Sequence, residues 1–206
     1  MVTRSEPDYV WDFCGGDVAL DFTNTVGNRG DAAQEHFNVY ADVVSWAETR
    51  GVIGRTEAKR LRQEAARRTT AAAEALASVR ALRESLYRAF AAAASGRKPA
   101  ASDLAQINAA VGVSFSGAHL RPHGGRLELR FAPDDSKRRL HEPITMPVVR
   151  AAIEVLTKDA IRRVRRCADS SCAWLFTDAT RSGTRRWCDM KVCGNRNKVR
   201  RFRGQP

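Results

Sequence analysis

Four of the five cysteines fall in one short stretch of the chain, as Cys167-x4-Cys172-x15-Cys188-x4-Cys193. Two matched pairs separated by the length of a hairpin predict that the sulfurs converge on one point, which constrains the path of everything between them. In a reducing compartment this spacing favours a four-thiolate metal site over two disulfides. Four thiolates satisfy the tetrahedral preference of zinc and leave no vacant position for water or substrate, so one structural Zn2+ is expected. An iron–sulfur cluster could use the same ligands, although nothing in the sequence requires redox chemistry. Cys14 stands apart near the N-terminus and reads as a small buried hydrophobe.

The same segment needs a metal for a second reason, since about forty residues cannot bury enough apolar surface to fold alone. It is also strongly basic. Residues 161–206 hold eleven arginines and two lysines against Asp169, Asp178 and Asp189, a surplus of +10 out of +12 for the whole chain. That asymmetry predicts a near-neutral body, residues 1–160, carrying a basic module, residues 161–206, for a polyanion, most simply nucleic acid. A solubilising basic tail is the bland alternative. No stretch approaches the roughly 18 uninterrupted apolar residues of a membrane span, and the first residues lack an apolar leader core, so a cytoplasmic protein without a membrane partner is expected.

Along the body, "GGDVALDFTNTVGNRG" joins an apolar strand or helix start to a polar turn. Tyr40, Val43, Val44 and Ala47 recur at helical spacing up to Gly51. Thr56 can cap a following helix, whose alanine-rich continuation aligns Leu76, Val79, Leu82, Leu86 and Phe90 on one stripe and stops between Gly96 and Pro99. A shorter helix is expected from Asp103, then a β-hairpin turning at Gly124-Gly125, a charged loop from Pro133 to Pro143, and a helix with Pro147 in its first turn. The predicted class is mainly α with a small β-hairpin (α+β), a helical N-terminal domain plus a small treble-clef-like zinc module.

Catalytic signatures are missing. His36, His119, His123 and His141 are scattered, with no metalloprotease spacing, nucleophile elbow or phosphate-cradling glycine loop. An enzyme is therefore not expected. Asp21, Asn24 and Thr25, with Arg80 and Arg83 of the long helix, form a candidate site for an anionic small-molecule effector, against the simpler reading that the turn caps its own backbone.

Within the module, "AWLFTDATRSGTRRW" predicts a hairpin whose Trp174, Phe176 and Trp187 cover the metal, with Asp178 pairing to Arg185 or Arg186 across it. Asp189 can cap a helix running through Phe202, with Cys193 in its first turns and Val192, Val199 and Phe202 facing inward. On this helix Asn195, Arg196, Lys198, Arg200, Arg201 and Arg203 are the candidate nucleic-acid contacts. Asn195 either reads a base edge or orients the metal loop.

The segments "RRVRRCADSSCAWLFTDATR" and "RRWCDMKVCGNRNKVRRFR" resemble the CGNR zinc finger, whose name motif is Cys193-Gly194-Asn195-Arg196 here. The stretch "GGDVALDFTNT" resembles the opening of the ABATE domain, a stress-induced transcription regulator module usually joined to that finger. A serine is common where this chain has Asp189, a departure that keeps the capping role. The resemblance implies that the four cysteines bind zinc and that the protein is a bacterial, nucleoid-associated DNA-binding regulator. Its helical domain would sense a small molecule or form a homodimer. An RNA-binding or ribosome-associated zinc protein is the alternative, since a basic segment attracts either polyanion.

Overall fold

The computed structural model of the protein describes residues 9–131 and 138–204. Asp17 caps the short helix α1 (Val18–Thr23) by accepting from Ala19 N at 2.8 Å. The chain then forms a two-residue strand pair, β1 (Val26–Gly27) with β2 (Gln34–Glu35), and the helices α2 (Tyr40–Thr49), α3 (Arg55–Arg67), α4 (Thr69–Ala94) and α5 (Ala101–Phe115). The hairpin β3 (Ala118–His123)/β4 (Arg126–Phe131) follows, then α6 (Glu142–Thr157). A 3-10 turn, Asp159–Arg163, leads into β5 (Val164–Arg166), which pairs antiparallel with β6 (Leu175–Thr177). The chain closes with a π-helical turn, Met190–Gly194, and α7 (Asn195–Phe202). No described helix is long and apolar enough to cross a membrane.

The core gathers where the apolar spacing predicts. Val79, Leu82, Leu86 and Phe90 of α4 are buried and Leu76 packs at their edge. α1 packs against both α4 and α6, burying Leu20 in the core and setting Phe22 against Phe37 and Trp46 in one aromatic cluster. In the body, sequence and structure part at four places. Arg68, at φ −126° and ψ 64°, separates α3 from α4, because α3 buries only Ala58 and Leu61 and must leave the line along which α4 buries its stripe. Gly54, not Thr56, precedes α3. Pro147 lies inside α6 and Pro143 takes the first-turn place, where a missing N–H costs nothing. The expected loop from Pro133 lies outside the described residues as far as Lys137, and its end already belongs to α6.

The Gly124-Gly125 turn, with both glycines at positive φ, forms where expected. Its register opposes Ala118 to Phe131, Leu120 to Leu129 and Pro122 to Leu127, so every apolar residue of the hairpin shares one face. Leu120, Leu127 and Leu129 are exposed on it.

Body and module share one interior. Val164 of β5 and Leu175 of β6 belong to the body's hydrophobic core. The Asn24 side chain donates to Leu175 O at 2.8 Å and accepts from Leu175 N at 3.0 Å, extending β6 as a neighbouring strand would. Trp174 Nε1 donates to Val26 O at 2.7 Å, and Tyr87 O–H donates to Ala173 O at 2.8 Å. Gly30 N donates to Ser171 O at 3.1 Å, at an approach so close that a Cβ on Gly30 would lie 1.7 Å from Ser170 O. Removing the Asn24 amide would strand one donor and one acceptor of Leu175 in a dry interior. Asn24→Ala is therefore expected to lower unfolding free energy by about 2–4 kcal/mol, seen as a reduced urea midpoint.

Candidate zinc centre and nucleic-acid interface

β5 ends immediately before Cys167, and the chain turns tightly to Cys172 and back into β6. Cys172 N donates to Asp169 O at 3.1 Å and Cys167 N to Trp174 O at 2.7 Å, with Ala173 at φ +58° closing the turn. The second pair arrives alongside it. Ala168 N donates to Arg186 O at 2.8 Å, and Cys188 N points at Cys167 Sγ at 3.5 Å. Asp189 then caps the π-helical turn, accepting from Val192 N at 2.9 Å, and that turn presents Cys193.

The four sulfurs converge as their spacing predicts. Cys167, Cys172, Cys188 and Cys193 are all buried, with their sulfurs within 4.8 Å of one another and none in a disulfide. Cys172 and Cys188 Sγ are 3.6 Å apart, Cys188 and Cys193 Sγ 3.7 Å. Sulfurs 2.3 Å from a central zinc form a tetrahedron with edges of about 3.8 Å, so the four residues fit one zinc ion with no open position. Such an ion would supply a structural cross-link. A dication held among the sulfurs would favour the thiolate form of all four. Cys14 is half-buried against this cluster, so its place is beside the metal centre and not in the body's core.

The expected hairpin between Trp174 and Trp187 does not form. β6 pairs upstream with β5 instead, because that pairing buries Val164 and Leu175 in the body's core. Phe176 is fully buried under the cysteines, with Trp174 and Trp187 packed around them, and the Arg185 guanidinium lies 4.6 Å from the Phe176 ring centre. Asp178 accepts from Arg185 N at 2.9 Å and from Thr180 Oγ1 at 2.6 Å, holding backbone where a side-chain ion pair was expected.

α7 is turned the other way round from expectation. Val192, Val199 and Phe202 face outward, and Arg196 and Arg200 face inward. The cause is Asp169, fully buried at the first cysteine turn: Arg200 Nη1 lies 3.2 Å from its Oδ1 and Arg196 Nη1 3.4 Å from its Oδ2. A buried carboxylate without a counter-charge costs far more than leaving two valines and a phenylalanine in water. Both arginines also donate to Ser171 Oγ. Asn195, Lys198, Arg201 and Arg203 are left on the exposed surface. A second cationic patch, Arg162, Arg163, Arg165 and Arg181, lines a shallow concavity near the 3-10 turn. The charge count over residues 161–206 includes these arginines without grouping them; hydrogen bonds from Arg163 Nη1 to Thr180 O at 3.1 Å and from Asp178 N to Arg163 O at 2.8 Å bring the two stretches together.

The candidate effector residues are spent on structure. Asp21 is buried, accepts from Gly15 N at 2.8 Å and pairs with Arg50 at 2.7 Å. Thr25 donates to Phe22 O at 2.8 Å. Arg83 grips both oxygens of Glu35 at 2.6 Å and reaches Glu84 at 2.8 Å, while Arg80 Nε donates to Phe37 O at 2.9 Å. With Asn24 on Leu175, a ligand here would have to displace bonds that hold the fold. Burial raises the Glu35 carboxyl, yet the Arg83 guanidinium more than reverses this and leaves it below the usual range.

Protein purified without added metal is expected to carry one zinc per chain by elemental analysis. Cys188→Ser should abolish that content, and chelation should lower the thermal midpoint of the wild type. Because Val164 and Leu175 are shared, the loss is expected to weaken the body as well.

Residues 16–159 match the family model for ABATE, described as "putative stress-induced transcription regulator", and residues 163–205 match the CGNR zinc finger. No curated protein matches the sequence. The first match spans most of the chain, and the second falls on the segment whose four sulfurs converge. The chain belongs to the ABATE family, with a CGNR zinc finger following the ABATE domain.

Proposed function

We propose that the protein is a DNA-binding transcription regulator whose zinc module grips duplex DNA and whose helical body joins two copies. The observation that carries this reading is a group of exposed cations on the helix that follows the cysteine cluster. Lys198 and Arg201 of α7, with Arg203 at its C-cap, are exposed and make no ion pair among the described residues. A helix of eight residues does not hold itself together in water, least of all with like charges along it. The cysteine cluster and Asp169 fix its start, which keeps the free cations in a set geometry for phosphates. The family's description supports the same reading.

Dimerisation is assigned to the β3/β4 hairpin. Its polar face carries His119, Arg121, His123, Arg126 and Arg130 against one acid, Glu128, so two such faces repel. The apolar faces meet without charge, and an isologous pair would cover Leu120, Leu127 and Leu129 of both copies. Sedimentation should show a dimer, and Leu127→Glu, a change on the exposed face, should give a folded monomer.

Binding of a mixed-sequence DNA duplex and of a structured RNA, each followed across a salt series, tests the main reading. Tighter binding to DNA is expected, with a steep fall in affinity as salt rises. Alanine at Lys198, Arg201 or Arg203 should each reduce the log–log slope by about one. Preference for RNA would favour the RNA-binding alternative, and no binding of DNA would end the proposal.

A further inference from the structure

The outward face of α7 is mixed in a way that phosphate binding alone does not explain. Phe202 is 94% exposed, Val192 50% and Val199 48%, while Arg196 and Arg200 of the same helix are folded back on Asp169. Asn195, Val199 and Phe202 stand at i, i+4 and i+7 and form one row along the helix, continued by Val192 in the turn before it. Lys198, Arg201 and Arg203 flank the row. This face therefore has an apolar centre, one amide and a cationic border.

Such a border selects a polyanion, and the centre selects where on it the helix sits. The major groove of duplex DNA is bounded by phosphates and floored by base edges, among which only thymine presents a methyl group. An asparagine amide can donate to adenine N7 and at the same time accept from its N6 amino group, a bidentate pair that guanine and cytosine do not match. Asn195 and Val199 are separated by ~6 Å along the helix axis, about two base-pair steps, so they address different base pairs of one short site.

Resting on the DNA-binding reading above, we infer that Asn195, Val199 and Phe202 form the base-reading face of the module, and that its substrate is A·T-containing duplex recognised through thymine methyl groups in the major groove. Arg196 and Arg200 act as positioning residues that hold this face outward through Asp169. Lys198, Arg201 and Arg203 supply sequence-independent phosphate contacts.

The test compares full-length protein on three duplexes of equal length: one rich in A·T pairs, the same duplex with every thymine replaced by deoxyuridine, and one of G·C pairs only. Deoxyuridine keeps the charge, the pairing and the hydrogen-bonding pattern and removes only the methyl. Wild type is expected to bind the thymine duplex about fourfold more tightly than the uracil duplex for each methyl buried, and the G·C duplex most weakly. Val199→Ala and Phe202→Ala, which alter exposed side chains and should keep zinc, are expected to shrink the thymine-to-uracil ratio. Lys198→Ala should weaken all three duplexes alike. Equal affinity of wild type for the thymine and uracil duplexes would overturn this inference while leaving DNA binding standing. A ratio unchanged in both alanine variants would overturn the assignment to this face. Failure to bind any duplex at low salt would overturn the DNA-binding reading and this inference together.

Discussion

Four sulfurs within 4.8 Å of one another hold together a segment that has little else to make it compact. Between the first and second cysteine pairs the chain contains one three-residue strand, one turn and otherwise irregular backbone. Its only apolar residue of any size that is wholly buried over the cluster is Phe176. Drawing the sulfurs together closes two tight turns and brings the stretch from Arg185 onward against the first knuckle. It also fixes the start of α7 through Cys193. A zinc ion bound by these thiolates would thus contribute directly to folding free energy, which a core of this size could not supply.

The orientation of α7 follows from a second constraint acting on the first. Asp169 is buried by the turn that presents Cys167 and Cys172, and its carboxylate must find cations within reach. The helix that begins at Cys193 offers Arg196 and Arg200 one turn apart, both about one-third exposed, so the pair retains contact with solvent while neutralising the acid. Once these two face inward, helical geometry leaves Asn195, Val199 and Phe202 outward. The hydrophobic residues are exposed as the consequence of satisfying a charge. A hydrophobic pattern alone predicts the opposite orientation, which is the expectation the sequence led to.

What could be read in advance was local or periodic. The cysteine spacing predicted the sulfur cluster, the apolar stripe predicted the inner face of α4, and two adjacent glycines predicted the β3/β4 turn. What could not be read depends on residues distant in sequence meeting in space. Asn24 and Leu175 are 151 positions apart, and Tyr87 and Ala173 are 86 apart. Nothing near Asn24 in sequence shows that its amide imitates a strand, so the turn looked available to a ligand. The missing hairpin has the same origin: Trp174 and Phe176 alternate as strand residues should, but the partner strand is chosen by which pairing buries Leu175 and Val164 in the body. Asp169 looked like one of three isolated acids in a basic segment, and only its burial shows that it sets the direction of the helix.

The shared interior also limits how body and module can communicate. A finger on a flexible linker could reorient freely, but here β5 and β6 contribute Val164 and Leu175 to the same core that contains Leu20, Phe22 and Leu86. Rotating the module as a unit would open that core and break the two Asn24 bonds to Leu175 and the contacts from Trp174, Tyr87 and Gly30. Packed interiors resist such continuous deformation. A change in the body therefore reaches α7 along a short covalent and hydrogen-bonded route, from α1 through Asn24 to β6, then through Cys172 and the sulfur cluster to Cys193. The smallest displacement along that route that matters is one that moves Asp169 relative to Arg196 and Arg200, because those pairs decide whether Asn195, Val199 and Phe202 remain presented to a groove.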